Sequence, residues 1–428
     1  MLGIILGLIL LMALAFRGWS IIWVAPICAL VVAIFGGLDL LPAYTETYMG
    51  GFVGFTKSWF PTFLLGAIFG KLMEVTGAAQ SVAQFLVKNI GAKRAIFAVV
   101  VGCAILTYGG ISLFVVVFAM YPIALAIFRE ANITRKLIPG SIALGAFTFT
   151  MTAVPGTPQI QNLIPMQYFK TTPMAAPIMG IAAAATMLII GYLYLLWKQK
   201  KWEAKGEFFT EPENMKLVEI DLENLPNPWI SFIPLISVII TLNVFKWNII
   251  PALLSGIVLT VLFNLPKKEK FIEAINSGAS GSVSSIINTS AAVGFGTVVQ
   301  AVPGFATLTS LMMGIQGSPL ISEAVAVTVL AGATGSASGG MGIALEALGP
   351  QYMQIATQIG ISPEAFHRVA ALASGGLDTL PHNGAVLTLL SVTGLTHKDS
   401  YIDIFVTCCL IPILAVAVAI LLASIGLI

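Results

Sequence analysis

The chain has 428 residues, of which 57% are hydrophobic and 9% charged. Soluble domains carry roughly 25% charged residues, so this chain cannot cover a water-facing surface, and its long apolar runs recur to the C-terminus, which excludes a single soluble core. The formal net charge of +2 gives no footing for nucleic acid, because the basic residues sit in short loops between apolar runs.

Residues 2–16 form the first apolar run. No basic stretch precedes it and Arg17 follows it, so it reads as a membrane helix and not as a cleaved leader. Residues 21–38 and 59–76 are the next two spans, and 80–94 is polar and amphipathic. Residues 95–128 carry no charge. As one helix they would run about 51 Å, against a hydrocarbon core about 30 Å thick. Their middle reads Thr107-Tyr108-Gly109-Gly110 and both flanks are basic (Lys93, Arg94; Arg129), which predicts a hairpin that enters and leaves on one side. Residues 137–169 are again too long for one span and are broken by Pro155 and Pro158. Residues 175–197 are a plain span.

Residues 198–228 are the one long polar segment, a linker opening on Lys198, Lys200, Lys201 and Lys205 and turning acidic up to Glu223. Apolar runs follow at 229–245, 249–265, 284–302, 324–345, 369–395 and 402–428. The linker separates a first half, 1–197, from a second, 229–428. Each half has three spans, a Gly-rich segment, a proline-broken span and a plain span. Gly109-Gly110 aligns with Gly339-Gly340, and Val154-Pro155 with Leu380-Pro381. With the linker in the cytoplasm, its five lysines (Lys216 included) and most other basic residues fall inside, as the positive-inside rule asks. Both termini then lie outside, and the two halves are inverted. The expected fold is an all-α polytopic membrane protein of two inverted repeats, each with five transmembrane helices, one of them broken, plus one re-entrant hairpin.

Interrupted helices in inverted repeats point to a binding site near the bilayer midplane, because non-helical backbone at that depth survives only where it is buried or lines a cavity. Four interruptions qualify. The candidate substrate contacts are Thr107, Tyr108, Gly109, Gly110 and Ser112 at the first tip, and Thr152, Gly156, Thr157 and Gln159 at the first break. Thr334, Ser336, Ser338, Gly339 and Gly340 belong to the second tip, and Thr379 and Asn383 to the second break. Glycines let backbone N–H groups turn to a ligand, hydroxyls add donors, and a half-helix N-terminus favours an anion. The same small residues also let helices pack closely; their recurrence at paired positions favours the site. All five arginines fall at span ends or in loops, so a carboxylate would be held by amides and hydroxyls, which suits a small, singly charged solute.

Asp378 and His382 are the acid and histidine inside a predicted break. Ionisable groups at that depth are costly and functional by default, and the two are expected to carry the coupling proton. The bland alternative is a capping aspartate and a core histidine. Lys71 and Glu74 read as a structural i,i+3 pair, and Glu323 and Glu346 as solvated residues bracketing the second hairpin. Asn288-Thr289-Ser290 offers oxygens to a sodium ion or hydrogen bonds between helices. Cys28, Cys103, Cys408 and Cys409 lack metal-ligand spacing, and His367, His382 and His397 make no H-x-x-x-H pattern. No metal, cofactor or enzymatic activity is expected.

At residues 332–348 (GATGSASGGMGIALEAL) and 368–401 (RVAALASGGLDTLPHNGAVLTLLSVTGLTHKDSY) the chain resembles the gluconate permease (GntP) family of the ion transporter superfamily. The likeness covers nearly the whole chain. The second stretch is most similar to the β-hydroxybutyrate permease branch and departs from gluconate-specific members. The resemblance implies a homodimer in the bacterial inner membrane, with scaffold helices and an elevator-type transport domain. It also implies proton-coupled uptake of a small hydroxycarboxylate, 3-hydroxybutyrate foremost. Gluconate or another short monocarboxylate, sodium coupling and a cation/proton antiporter are the alternatives.

Overall fold

The computed structural model is helical throughout the residues it describes, 1–212, 224–313 and 318–428. Lys216 of the expected linker lies outside the described residues. Helices α1 (Leu2–Phe16) and α2 (Ile21–Gly36) pack as a hairpin; Ser20 starts the second by accepting the Ile22 N–H. Helix α3 runs Leu40–Val75, starting well before residue 59, where the apolar run begins. Polar Thr45, Glu46, Lys57 and Ser58 hide this stretch from hydropathy, and its early turns are π-helical over Ala43–Tyr48. Its 36 residues make about 54 Å of helix.

The amphipathic α4 (Ala78–Ile90) bends by 97° into the segment that carries α5 (Ala95–Tyr108). The chain turns at residues 109–112, where Gly110 takes φ 96°, a conformation open to glycine, and returns as α6 (Leu113–Glu130). The proline-broken span is α7 (Ile138–Ala146), a short α8 (Phe149–Thr152), non-helical residues 153–159, and α9 (Ile160–Phe169). Helix α10 (Pro177–Glu203) closes the half.

The second half repeats this order. Helices α11 (Pro228–Asn243) and α12 (Ile249–Phe263) lead into α13 (Leu265–Ala301), 37 residues against an apolar run of 284–302. The short α14 (Gly304–Met313) precedes a hairpin of α15 (Pro319–Thr334) and α16 (Ala337–Ile359). The second broken span is α17 (Pro363–Ser374) and α18 (Gly384–Thr393), and α19 (His397–Ser424) ends the chain. The hairpin turns at residues 335–336, with Gly335 at φ 60°, and not at Gly339-Gly340. Those two glycines begin α16. A Cβ on Gly340 would lie 2.1 Å from the Ala331 nitrogen, so this glycine lets the two limbs close on each other.

Among the described residues, five helices are long and apolar enough to cross a bilayer, six if the bent pair counts as one span. The ten spanning helices of the hydropathy reading exceed what length alone supports, because α1, α2, α11 and α12 are apolar but short. Lipid-facing surfaces are visible as exposed stripes at helical spacing: Ile178, Ile181, Ile189 and Leu193 on α10, and Leu254, Val258 and Leu262 on α12. The protein is therefore an integral membrane protein.

Helices α3 and α13 lie along each other. A Cβ on Gly278 would meet the Ile68 Cα at 2.8 Å, the hydroxyls of Thr56 and Ser290 share a 2.8 Å hydrogen bond, and Thr297 donates to the Thr47 carbonyl. Helices α2 and α12 pack on this pair, and α1 packs on α2. A second group joins α5 with α7, α15 with α17, α9 with α16 and α17, and α10 with α19. Ion pairs Arg129–Glu211, Lys136–Glu207 and Lys198–Asp403 draw the start of the linker against the ends of α6, α7 and α19.

Candidate substrate site

Each hairpin tip is stitched to the break of its own half by one amide side chain. In the first half, Gln159 donates from Nε2 to the carbonyls of Thr107 (2.6 Å) and Ile111 (3.2 Å), the two ends of the turn. Tyr108 donates its hydroxyl to the Pro155 carbonyl at 3.0 Å. Thr107 is fully buried and its Oγ1 has no hydrogen-bond partner. Ser112 sits at the N-cap of α6 without a capping bond. In the break, Thr152 donates to the Thr148 carbonyl, the Gly156 carbonyl accepts from Asn243 (2.9 Å), and that of Thr157 accepts from Asn162 (3.0 Å). Gly109 backs onto α11, where a Cβ would lie 2.7 Å from Leu235 Cδ2. A cavity of about 260 Å³ opens here between Tyr108, Gly109 and Val154 on one side and Phe232, Leu235 and Ile239 on the other. Its walls are apolar, which does not suit a carboxylate.

In the second half Asn383 makes the equivalent stitch. Its Nδ2 donates to the carbonyls of Gly335 and Asp378, both at 2.9 Å, and its Oδ1 caps α18 by accepting from Ala385 and Val386. Four bonds engage this side chain fully, so it builds the site. Ser336 caps α16, its Oγ accepting the Gly339 N–H at 3.1 Å. Ser338 shares a hydrogen bond with Thr289 (3.3 Å) and lies 3.5 Å from the Ser336 Oγ. The Thr334 hydroxyl bonds the Leu330 and Ser336 carbonyls. Thr334, Gly339 and Gly340 thus serve the hairpin itself.

His382 packs on the turn: a Cβ on Gly335 would lie 2.6 Å from its Nε2. Asp378 is 5% exposed and its Oδ1 has no hydrogen-bond partner. It lies within electrostatic reach of Tyr401, Cys408 and Cys409 in α19, and the Thr379 hydroxyl bonds Cys409 Sγ at 3.2 Å. The acid and the histidine therefore address different neighbours, one the C-terminal helix and the other the tip. The two breaks meet where Gly375 lies beside Thr152.

The profile of the GntP family permeases matches residues 1–263. The chain belongs to that family. It is 46% identical to the uncharacterized transporter YxjC of Bacillus subtilis over 94% of each chain, and 25% identical to an uncharacterized permease of Haemophilus influenzae over 56% of this chain and 49% of that one. Among solved structures it is similar in fold to the YdaH transporter of Alcanivorax borkumensis, with a TM-score of 0.58 at 14% identity over 91% of this chain and 89% of that chain. MtrF of Neisseria gonorrhoeae, described as illuminating a class of antimetabolite efflux pumps, gives a TM-score of 0.52 at 14% identity, covering 91% and 84%. The protein is thus a transporter and not an enzyme.

Two charged residues of this permease depart from the sequence reading. Glu323, expected in solvent, is fully buried and neither carboxylate oxygen has a hydrogen-bond partner; beside it the hydroxyls of Ser322 and Tyr352 pair at 3.0 Å. Arg368, expected at an outer span end, is also fully buried. It donates to the carbonyls of Ala175 and Thr152 and to Asn162 Oδ1. Nothing in the spacing distinguishes these positions from solvated helix ends. Lys71 and Glu74 pair at 2.8 Å as expected, Thr289 and Ser290 bond neighbouring helices, and the cysteines are buried and free. Glu346 accepts the Tyr168 hydroxyl.

Proposed function

We propose that this permease is a proton-coupled symporter for a small hydroxycarboxylate, with 3-hydroxybutyrate the foremost candidate. The observation that carries the reading is the second tip, where His382 lies against the turn at Gly335 and the Ser336 and Ser338 hydroxyls crown the start of α16. The first-turn amides of a helix have no partner within it and favour an anion. The substrate carboxylate binds there, beside His382. The first tip adds Thr107, Tyr108 and Ser112, and Asp378 and His382 carry the coupling proton. A proton on either residue favours the anion, and the anion favours the proton, as reciprocity requires. Loading then occurs where protons are plentiful, and release where they are scarce.

The helix order repeated in the two halves supports inverted repeats, 1–197 and 229–428. The long α3–α13 pair with α1, α2, α11 and α12 forms the scaffold. The hairpins, broken spans, α10 and α19 form a transport domain that slides along it, with the apolar cavity by Leu235 on the seam. The family resemblance adds a homodimer in the bacterial inner membrane.

The substrate claim is tested by thermal stabilisation of purified protein with 3-hydroxybutyrate, lactate and gluconate. The reading predicts the largest rise with 3-hydroxybutyrate, reduced in Ser338→Ala and Ser336→Ala when each is read against its own unliganded baseline, which for Ser336→Ala falls by about 0.5–2 kcal/mol with the lost α16 cap. Stabilisation by sodium alone, with no response to any of the three acids, contradicts it and favours an ion-only antiporter.

A further inference from the structure

The buried guanidinium of Arg368 has no place in the scheme above. It comes from the second half of the chain, yet its partners belong to the first. Nε and Nη2 both reach the Ala175 carbonyl (3.1 and 2.6 Å), and Nη1 reaches Asn162 Oδ1 (2.9 Å) and the Thr152 carbonyl (3.4 Å). Asn162 in turn donates to the carbonyls of Thr157 (3.0 Å) and Pro173 (2.9 Å). One cation therefore grips both sides of the first break, Thr152 directly and Thr157 through Asn162.

Three neighbours reinforce the grip. His367 shares Asn162 Oδ1 at 3.2 Å and meets the Thr171 hydroxyl at 2.6 Å. Because that oxygen already accepts from Arg368, the imidazole donates to it from Nε2. Ala176 holds a left-handed φ of 45°, a strained conformation for alanine; its N–H donates to Glu364 Oε2 at 2.9 Å, next to the carbonyl that Arg368 holds. Glycine at 180 leaves the room, since a Cβ there would lie 2.5 Å from the Ala153 carbonyl and 3.2 Å from Arg368 Nε.

All the hydrogen-bond partners of this guanidinium are carbonyl or amide oxygens, which are neutral. Glu364, one turn earlier on α17, is its electrostatic partner, and that carboxylate is engaged with the Ala176 N–H. A guanidinium keeps its charge in a protein interior, and in a poorly polarisable surrounding its field reaches further than in water. Thr152, which it touches, also abuts Gly375 at the meeting point of the two breaks.

We propose that Arg368 is the positioning residue of the transport site: it fixes the first break and supplies, from behind the backbone, the permanent positive charge that makes the site select anions. This rests on the carboxylate reading above and deepens it. The substrate never touches the guanidinium, so charge selection and direct contact are carried by different residues.

The test compares binding of 3-hydroxybutyrate with that of its uncharged amide to purified wild-type, Arg368→Gln, Arg368→Lys and Glu364→Gln proteins. Arg368→Gln should lower the preference for the acid over the amide about tenfold, from loss of one buried positive charge. Arg368→Lys should keep the preference while weakening both ligands, because an ammonium keeps the charge but cannot reproduce the planar set of bonds. Glu364→Gln preserves an acceptor for Ala176 and removes the partial counter-charge, so the preference should rise; this variant stays informative if Arg368→Gln does not fold. An acid-over-amide preference unchanged in Glu364→Gln, or in a folded Arg368→Gln, overturns the role of Arg368 and leaves the carboxylate reading standing. A wild-type protein that binds acid and amide equally contradicts the carboxylate reading itself.

Discussion

Glycine 339 and glycine 340 look interchangeable in the sequence, yet they have different work. A Cβ on Gly340 meets the backbone of Ala331 and Leu330 at 2.1–2.4 Å, whereas one on Gly339 meets its own Ser336 Oγ at 3.1 Å and Ala292 Cβ at 3.6 Å. Gly340→Ala should therefore cost about 1–3 kcal/mol or more through overpacking, read as a lower melting temperature on size-exclusion chromatography. Gly339→Ala should fold like the wild type, and equal stability of the two would contradict the close limb contact. The sequence made the polar character of the tips legible, because Gly, Ser and Thr cluster at chain depths where only a break tolerates them. It did not disclose which of these groups the fold engages. Asn383 is engaged by four bonds, and Arg368 and Glu323 are buried, because helix ends that look solvated from the sequence lie under neighbouring helices.

At the scale of elements, the hairpins and broken spans were legible from uncharged runs too long for one crossing and from prolines at 155, 158 and 381. The long helices were not. α3 and α13 continue through polar stretches that hydropathy ends, because they pack on each other there: a Cβ on Gly278 would meet the Ile68 Cα at 2.8 Å, and the Thr56 hydroxyl bonds Ser290. The stitches are a prediction at this scale. Gln159→Ala and Asn383→Ala each free carbonyls of a tip, and Asn383→Ala also removes a cap worth about 0.5–2 kcal/mol. Both should raise hydrogen exchange at the tip of their own half before that of the other. Uniform exchange over the two tips would deny the stitches a local role. Helix α19 opens on a capping box, in which the Thr396 hydroxyl and N–H both donate to Asp399. Asp399→Ala should cost about 0.5–2 kcal/mol of stability, and an unchanged melting temperature would contradict the capping box.

The proposed reading of the whole molecule is two inverted repeats, 1–197 and 229–428, on either side of the linker. It rests on the glycines and prolines that punctuate both halves in the same order. At the second hairpin the turn falls at residues 335–336, four residues before Gly339-Gly340, because Gly335 takes the left-handed conformation and the later glycines serve the close approach of the two limbs. The proposed inversion makes a geometric prediction: cysteines placed at Lys205 and Lys246 should react with impermeant reagents from opposite sides of the membrane, and same-side labelling would contradict it. The central claim is that an organic anion and a proton load the same mobile site. Uptake of labelled 3-hydroxybutyrate into proteoliposomes, under a proton gradient and separately under a sodium gradient at fixed pH, tests it most directly in wild type and Asp378→Asn. The account predicts accumulation by the wild type under the proton gradient alone, with Asp378→Asn still exchanging substrate but neither accumulating it nor responding to pH. Accumulation driven by sodium without proton movement, or an Asp378→Asn protein that accumulates like the wild type, would contradict it.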